Sequence, residues 1–200
     1  MALAEAHPVV LFDVLGTLVH DPFFAEVPEF LGVTLQELLA SKGAQAWPDF
    51  ECGKINEQTL LRTFFADGRF VDGEGLKATI RKSVRWLAGM ETLLAELHAN
   101  GIEMHALSNY PPWYQLIEDT VHASRFLSWT FVSCKTGVRK PDRRAYLGAA
   151  GALGRTPSEC LLIDDRAENC RAAINVGMPA ILFQDAGALR HALVQLGLLP

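Results

Sequence analysis

The feature that most constrains the fold is a run of four apolar residues, 9–12, that leads directly into Asp13. A short apolar run closed by a glycine-containing turn is typical of a strand that is buried on both faces. Asp13 then lies at the carboxyl end of this strand, where open α/β sheets bind their ligands. Gly16 allows a sharp turn, and Thr17 offers a hydroxyl group. Because aspartate also commonly ends strands, this segment alone leaves a structural and a functional interpretation open.

From residue 89 onward, apolar runs alternate with helical patterns. The runs 102–107, 129–133, 160–163 and 179–183 are predicted strands, and apolar residues at helical spacing predict a helix between each pair. Alternating strands and helices indicate a parallel sheet with helices on both faces. The chain is therefore predicted to have an α/β fold.

Residues 21–87 contain no strong strand pattern. Apolar residues at helical spacing predict helices over 23–39, 46–52, 56–65 and 72–86, with Gly43 as a break and Asn56 as an N-cap. We therefore predict that residues 1–20 and 88–200 form the core and that 21–87 form an all-helical cap. The aromatic residues of the cap are expected to form its own core.

Composition limits the classes of partner and compartment. The net charge of −5 gives no indication of a nucleic-acid surface, and no apolar run approaches the length that spans a membrane. The four cysteines lack C-x-x-C spacing, which predicts reduced residues in a reducing compartment. No targeting peptide is visible. A cytoplasmic protein is expected, and an organelle reached after removal of a transit peptide stays open.

Polar groups follow four of the predicted strands. They are Asp13, Ser108 with Asn109, Lys140, and Asp164 with Asp165. Carboxyl ends of parallel strands share one edge of the sheet, so these groups can converge. One carboxylate can act as a nucleophile. A hard divalent cation can relieve the repulsion among several carboxylates in one crevice. Lysine, hydroxyl and amide groups can hold phosphoryl oxygens, so the pattern predicts phosphoryl transfer through an aspartyl intermediate.

These motifs resemble those of the haloacid dehalogenase (HAD) superfamily, and in particular its phosphatase branch with a helical cap. Residues 13–17 are similar to the first motif, Ser108 to the second, Lys140 to the third and residues 164–165 to the fourth. The order of the motifs agrees over nearly the whole chain. The resemblance implies an α/β fold with a Rossmann-like parallel sheet core and an inserted all-helical cap.

The resemblance also implies the roles of the site residues. Asp13 would be the nucleophile, with Lys140 as a second catalytic residue. The phosphoryl group would be bound by Lys140, Ser108, Asn109 and Thr17. Mg²⁺ would be held by Asp13, the backbone carbonyl of Leu15 and Asp165, with Asp164 assisting.

The chain departs from the family at Leu15. Phosphatases of the family carry an aspartate there, which protonates the leaving group and then activates water, and leucine can do neither. General acid–base assistance contributes roughly 10²–10⁴-fold, so attenuated turnover of ordinary phosphomonoesters is expected. His20 and Asp21 are candidate substitutes, although a solvated hinge is the favoured interpretation for both.

The leading hypothesis is a Mg²⁺-dependent phosphatase that acts on a small phosphorylated metabolite. Hydrolytic dehalogenases also lack the second aspartate. They lack the paired aspartates as well, whereas this chain has them at 164–165, which argues against this hypothesis. A phosphonate-cleaving enzyme would need a cap lysine, and Lys42 and Lys54 stand in no recognisable motif. A non-catalytic pseudo-phosphatase that binds a metabolite or a protein is the third hypothesis.

Overall fold

The structure is a computed structural model that describes residues 7–200. Its fold is built on one parallel sheet. Its five strands in this range are β1 (Val9–Phe12), β2 (Met104–Ser108), β3 (Ser128–Val132), β4 (Cys160–Asp164) and β5 (Ala180–Leu182). They are arranged in the order β3-β2-β1-β4-β5, so β1 is central. Leu11 pairs with His105 of β2 on one side and with Leu162 of β4 on the other. The predicted α/β fold with a parallel sheet is confirmed.

The side chains of β1 are buried on both faces of the sheet, which explains the unbroken apolar run. Val10 and Phe12 contribute to a hydrophobic cluster that extends into the helices between residues 26 and 83. Val9 and Leu11 contribute to a second cluster on the opposite face, together with Tyr146. Because neighbouring residues of a strand point to opposite faces, a central strand covered on both sides needs apolar residues throughout.

Helices cover both faces of the sheet. They are α1 (Glu26–Phe30), α2 (Leu35–Ser41), α3 (Ala46–Glu51), α4 (Glu57–Thr63), α5 (Gly73–Ser83), α6 (Met90–Ala99), α7 (Tyr114–Val121), α8 (Ser133–Thr136), α9 (Arg143–Ala152), α10 (Ala167–Asn175) and α11 (Ala186–Gln195). Side chains of Thr34, Asn56 and Asp72 cap the first turns of α2, α4 and α5. Within residues 7–200, no helix has both the length and the apolar character needed to cross a bilayer.

Helices α1–α5 lie in the segment predicted to be a helical cap, with two corrections to the predicted helices. The helix predicted over 23–39 is instead a 3₁₀ turn, Pro22–Phe24, capped by Asp21, followed by α1 and α2, with residues 31–34 outside both helices because Thr34 caps the start of α2. The helix predicted over 72–86 ends at Ser83. The division into core and cap domains stays a prediction, and the predicted absence of a targeting peptide depends on residues 1–6, which lie outside the described range.

Helix α5 ends early because two chain segments pair with each other. One is the segment that follows β1, and the other is the segment that precedes α6. Val19 forms an antiparallel bridge with Trp86, and the backbone N–H of His20 donates to the carbonyl of Arg85 at 2.9 Å. Residues 84–87 must be extended to make these bonds, and extended backbone cannot continue a helix.

Candidate active site

The sheet brings the predicted site residues to one edge. Asp13 follows β1 directly, and Ser108 and Asp164 are the last residues of β2 and β4. Lys140 lies in the loop that follows β3 and α8. The edge formed by the carboxyl ends of β1, β2 and β4 is the usual position of ligand sites in such sheets.

Lys140 links two of the aspartates. Its Nζ atom lies 2.9 Å from Oδ1 of Asp13 and 2.6 Å from Oδ2 of Asp164. The residue is only 2% exposed. Burial by itself lowers the pKa of a lysine, but the two carboxylates outweigh it, and the net shift of the Lys140 pKa is upward. The ammonium group is therefore held in its charged form.

The carboxyl group of Asp13 titrates far from its ordinary range. Burial raises the pKa of Asp13 to about 7; Lys140 opposes this shift and Asp164 adds to it. A nucleophilic carboxylate must be ionised to attack phosphorus. The site therefore needs positive charge beside Asp13, and Lys140 supplies one such charge.

An acidic cluster at the same edge has a donor set that suits a hard divalent cation. Carboxylate oxygens of Asp13, Asp164 and Asp165 lie within 4.8 Å of one another. The carbonyl oxygen of Leu15 accepts no hydrogen bond from residues 7–200, so it is free to bind a ligand. Although Asp165 is largely exposed, partial desolvation of its carboxyl group and the neighbouring Asp164 raise its pKa. Oxygen donors of this kind fit Mg²⁺.

Asp164 differs from the other two aspartates because its oxygens are already hydrogen-bonded. Oδ1 accepts from the backbone N–H of Arg166 at 2.9 Å, and both oxygens lie 3.0 Å from the side-chain amide of Asn169. Oδ2 also accepts from Lys140. These bonds suit a residue that positions Lys140, with Asp13 and Asp165 left to contact a cation directly.

The predicted phosphate-binding residues occupy different positions. Ser108 is buried and lines the cavity above Asp13. The side-chain amide of Asn109 donates to the carbonyl of Lys140 and accepts from its N–H, both at 2.8 Å. Thr17 is fully buried, does not line the cavity, and its hydroxyl has no hydrogen-bond partner among residues 7–200. The positions thus support phosphate contact for Ser108, a positioning role for Asn109, and no contact for Thr17.

An ion pair between a buried glutamate and a half-exposed arginine near the site was not predicted from the sequence. Oε2 of Glu51, in α3, lies 2.9 Å from Nε of Arg139, and Oε1 accepts from the indole N–H of Trp47 at 2.6 Å. The Arg139 N–H is not aligned with the carboxylate, so the contact is an ion pair without good hydrogen-bond geometry. The hydroxyl of Ser133 donates to the carbonyl of Glu51 at 2.6 Å. No sequence pattern relates these distant positions.

A cavity of about 430 Å³ opens above Asp13. Ser108 and Lys140 form part of its base, while Phe23, Phe24 and Trp47 belong to its walls. The expectation that the cap aromatics form only the core of the cap is wrong for these three residues. Phe24 is 55% exposed, although large apolar side chains usually avoid solvent. The walls therefore offer flat apolar surfaces to a ligand.

Comparisons with known proteins agree with this geometry. The family model described as haloacid dehalogenase-like hydrolase matches residues 7–177. The chain is 47% identical over 191 residues to the chloroplast flavin mononucleotide hydrolase 1 of Arabidopsis thaliana, covering 96% of this chain and 78% of the relative. It is 28% identical over 168 residues to a sesquiterpene phosphatase of Aspergillus oryzae, covering 82% of this chain and 85% of the relative.

A solved structure of a HAD family enzyme from Bacteroides thetaiotaomicron, in complex with magnesium and inorganic phosphate, has the same fold. Its TM-score is 0.71 at 16% identity, with coverage of 90% of this chain and 96% of that one. The fold, the match of the family model and the motif order lead to one conclusion: this chain belongs to the haloacid dehalogenase-like hydrolase family.

Proposed function

We propose that this protein is a Mg²⁺-dependent phosphatase that hydrolyses flavin mononucleotide (FMN) to riboflavin and phosphate. The observation that carries the proposal is the single cavity that joins Asp13 and Lys140 at its base to Phe23, Phe24 and Trp47 on its walls. FMN has a phosphate at one end and a flat aromatic ring system at the other. The 47% identity to a flavin mononucleotide hydrolase supports the same substrate.

Residues of the acidic cluster and of the cavity have defined parts in this reaction. The carboxylate of Asp13 attacks phosphorus and forms an aspartyl phosphate. Lys140 and Ser108 donate hydrogen bonds to the phosphoryl oxygens, and the aromatic side chains stack against the flavin ring. Asp13, Asp165 and the Leu15 carbonyl would hold Mg²⁺, which when bound neutralises charge on the phosphoryl group.

A second candidate substrate is a prenyl phosphate. Part of the cavity wall is purely aliphatic or aromatic, formed by Val27, Leu39, Phe64, Leu76 and Ile80. Such a surface suits a hydrocarbon chain, and the relative from Aspergillus oryzae is a sesquiterpene phosphatase. FMN is preferred because the identity to the FMN hydrolase is higher and covers more of the chain.

The other hypotheses have less support. A dehalogenase has no use for the acidic cluster of Asp13, Asp164 and Asp165. A pseudo-phosphatase does not require the Lys140 ammonium to be held against the nucleophile. The compartment stays a prediction: a reducing one, which includes the chloroplast named for the Arabidopsis relative.

The test is hydrolysis by the purified protein with Mg²⁺ or with a chelator. FMN, farnesyl phosphate and a sugar phosphate are compared by release of phosphate, and riboflavin is identified by chromatography. We expect FMN to be the best of the three and the activity to need Mg²⁺. Asp13→Asn should abolish hydrolysis, whereas Asp119→Asn, at an exposed position of α7, should not. A wild-type protein that cleaves none of them would support the pseudo-phosphatase hypothesis.

A further inference from the structure

Leucine at position 15 leaves the reaction without its proton carrier. The oxygen that leaves phosphorus in FMN belongs to an alkyl alcohol, and an alkoxide is a poor leaving group unless it is protonated. A positioned acid contributes roughly 10²–10⁴-fold to such a step. Another group in the cavity must therefore deliver the proton if FMN is cleaved efficiently.

Within residues 7–200, two carboxyl groups besides the nucleophile line the cavity, those of Asp21 and Glu51. Oε1 of Glu51 accepts from Trp47, and Oε2 lies 2.9 Å from Nε of Arg139, so this carboxylate is held against a cation that opposes its protonation. His20, next to Asp21, is not a lining residue, and its Nε2 atom is bound to Glu26 at 2.8 Å. These partners leave Asp21 as the available carboxyl group.

Tyr110 also lines the cavity, but its hydroxyl is unsuited to the task. Burial, together with the nearby Asp21 and Glu51, raises the pKa of Tyr110 above its ordinary value. The same group must give up a proton in one step and take one back in the next, which requires a pKa near the working pH. A tyrosine shifted upward does not meet this requirement.

The position of Asp21 is fixed by two local interactions. Oδ1 accepts from the backbone N–H of Phe23 at 3.0 Å, which caps the turn Pro22–Phe24. The N–H of the neighbouring His20 donates to the carbonyl of Arg85, where the segment after β1 pairs with the segment before α6. Oδ2 has no hydrogen-bond partner among residues 7–200, so one oxygen anchors the side chain and the other is free to face a ligand.

The environment of Asp21 also suits a proton carrier. Burial raises its pKa, and Asp165 adds to this shift. The N–H of Phe23 and the charges of Arg166 and His20 oppose it without reversing it. A carboxylic acid with a raised pKa keeps its proton at a higher pH than an ordinary aspartate does.

We propose that Asp21 replaces the missing aspartate and carries the proton in both chemical steps, an inference that rests on the proposed phosphatase function. In the first step Asp13 forms a bond to phosphorus, the bond from phosphorus to the ester oxygen breaks, and protonated Asp21 gives its proton to that oxygen. In the second, the Asp21 carboxylate takes a proton from water as the water oxygen attacks phosphorus. The bond to Asp13 breaks, which yields phosphate, free Asp13 and protonated Asp21.

The test compares two leaving groups in Asp21→Asn. Asparagine keeps an oxygen that can accept from Phe23, so the turn is preserved, but it cannot carry the proton. We expect kcat/KM for FMN to fall by about 10²–10⁴-fold. For 4-nitrophenyl phosphate, whose leaving group needs no proton, kcat/KM should change little. Its kcat should fall, with a burst of nitrophenol, because water attack on the phosphoenzyme still needs the base.

Two further variants separate a catalytic role from a structural one. Asp72→Asn changes a similar capping aspartate, whose side chain accepts from the N–H of Gly75 at 3.0 Å, and should leave both activities unchanged. Adding Leu15→Asp to Asp21→Asn should restore kcat/KM for FMN by about tenfold or more, because a carboxyl group returns to the cavity.

The outcomes that overturn the proposal are distinct from failure of the FMN assignment. If Asp21→Asn lowers kcat/KM equally for both substrates, or for neither, Asp21 does not carry the proton. If the wild type cleaves farnesyl phosphate and not FMN, the FMN assignment fails, and the same comparison is made with farnesyl phosphate in place of FMN. If the wild type cleaves only 4-nitrophenyl phosphate, no group delivers a proton, and the proposal for Asp21 is wrong.

Discussion

The Nζ atom of Lys140 lies 2.9 Å from Oδ1 of Asp13, and both side chains are almost completely buried. A second bond of 2.6 Å, from the same Nζ atom to Oδ2 of Asp164, completes a cluster of one ammonium group and two carboxyl groups. A buried ion needs partners of opposite charge and full hydrogen bonding, because water is not available to solvate it. The same lysine therefore stabilises the fold and orients the nucleophile.

We expect Lys140→Met to destabilise the protein by about 3–5 kcal/mol, because two buried carboxyl groups lose their cation. Urea unfolding followed by circular dichroism measures this change. Lys82→Met is the control, since Lys82 is exposed on α5, and it should cost less than about 0.5 kcal/mol. Equal stability of the two variants would show that Lys140 does not stabilise Asp13 and Asp164.

Asn109 holds the backbone on both sides of Lys140. Asn109→Ala removes both 2.8 Å hydrogen bonds, and we expect a loss of about 1–3 kcal/mol in stability together with a lower kcat for FMN. Asn100→Ala, which removes the 2.8 Å bond from an exposed Asn100 to the carbonyl of Glu96, should leave kcat unchanged. An unchanged kcat in Asn109→Ala would argue against positioning of Lys140 through its backbone.

The sequence was sufficient to predict the sheet because each buried strand has its own local signal. β1 and residues 160–163 of β4 are continuous apolar runs, and parallel pairing requires that both faces be covered. The end of α5 could not be predicted, since it depends on the bridge between Val19 and Trp86, residues far apart in the chain. Local patterns carry no information on such pairing.

The site also has features that could be predicted from the sequence and features that could not. Asp13, Lys140 and the 164–165 pair were predicted to converge, because each follows a strand of the same parallel sheet. The ion pair of Glu51 and Arg139 was missed, since a glutamate in a helical pattern is normally interpreted as a solvated residue. The hydrogen bonds of Asn109 to Lys140 were missed for a different reason: a loop conformation decides them, and the sequence does not specify it.

Gly16 couples the backbone after β1 to the acidic cluster. Its φ is +80°, and a Cβ atom there would lie 2.7 Å from Oδ2 of Asp165. We expect Gly16→Ala to displace this carboxylate and weaken Mg²⁺ binding, measured by calorimetric titration. Gly154→Ala is the control, because its φ is +66° but no atom lies within 4 Å of the added Cβ. Both should lose about 1 kcal/mol or more of stability from the left-handed backbone, and only the first should lose Mg²⁺ affinity.

The pH dependence of FMN hydrolysis should report the proton carrier. A general acid acts only while it is protonated, so kcat/KM should fall as the pH rises through the raised pKa of Asp21. This alkaline decline should be absent for 4-nitrophenyl phosphate and for Asp21→Asn. An unchanged profile in Asp21→Asn would assign the decline to another group. The titratable or charged groups around Asp21 are His20, Tyr110, Asp165 and Arg166.

Helix α3 contacts the loop before Lys140. The buried Glu51 and the half-exposed Arg139 form an ion pair across it, and burial raises the pKa of Glu51 although Arg139 and Trp47 oppose the shift. If the helices of residues 21–87 move as a lid, the motion must separate this pair.

Glu51→Gln keeps the shape and removes the charge. We expect faster amide hydrogen exchange in α3 and a higher KM for FMN, because the open form becomes more populated. Glu91→Gln, which breaks an exposed pair with Arg125 at 2.7 Å, should change neither quantity. In the wild type, orthovanadate with Mg²⁺ should slow exchange in α3 and leave α11 unchanged. Equal exchange in α3 with and without orthovanadate would mean that these helices do not close over the site.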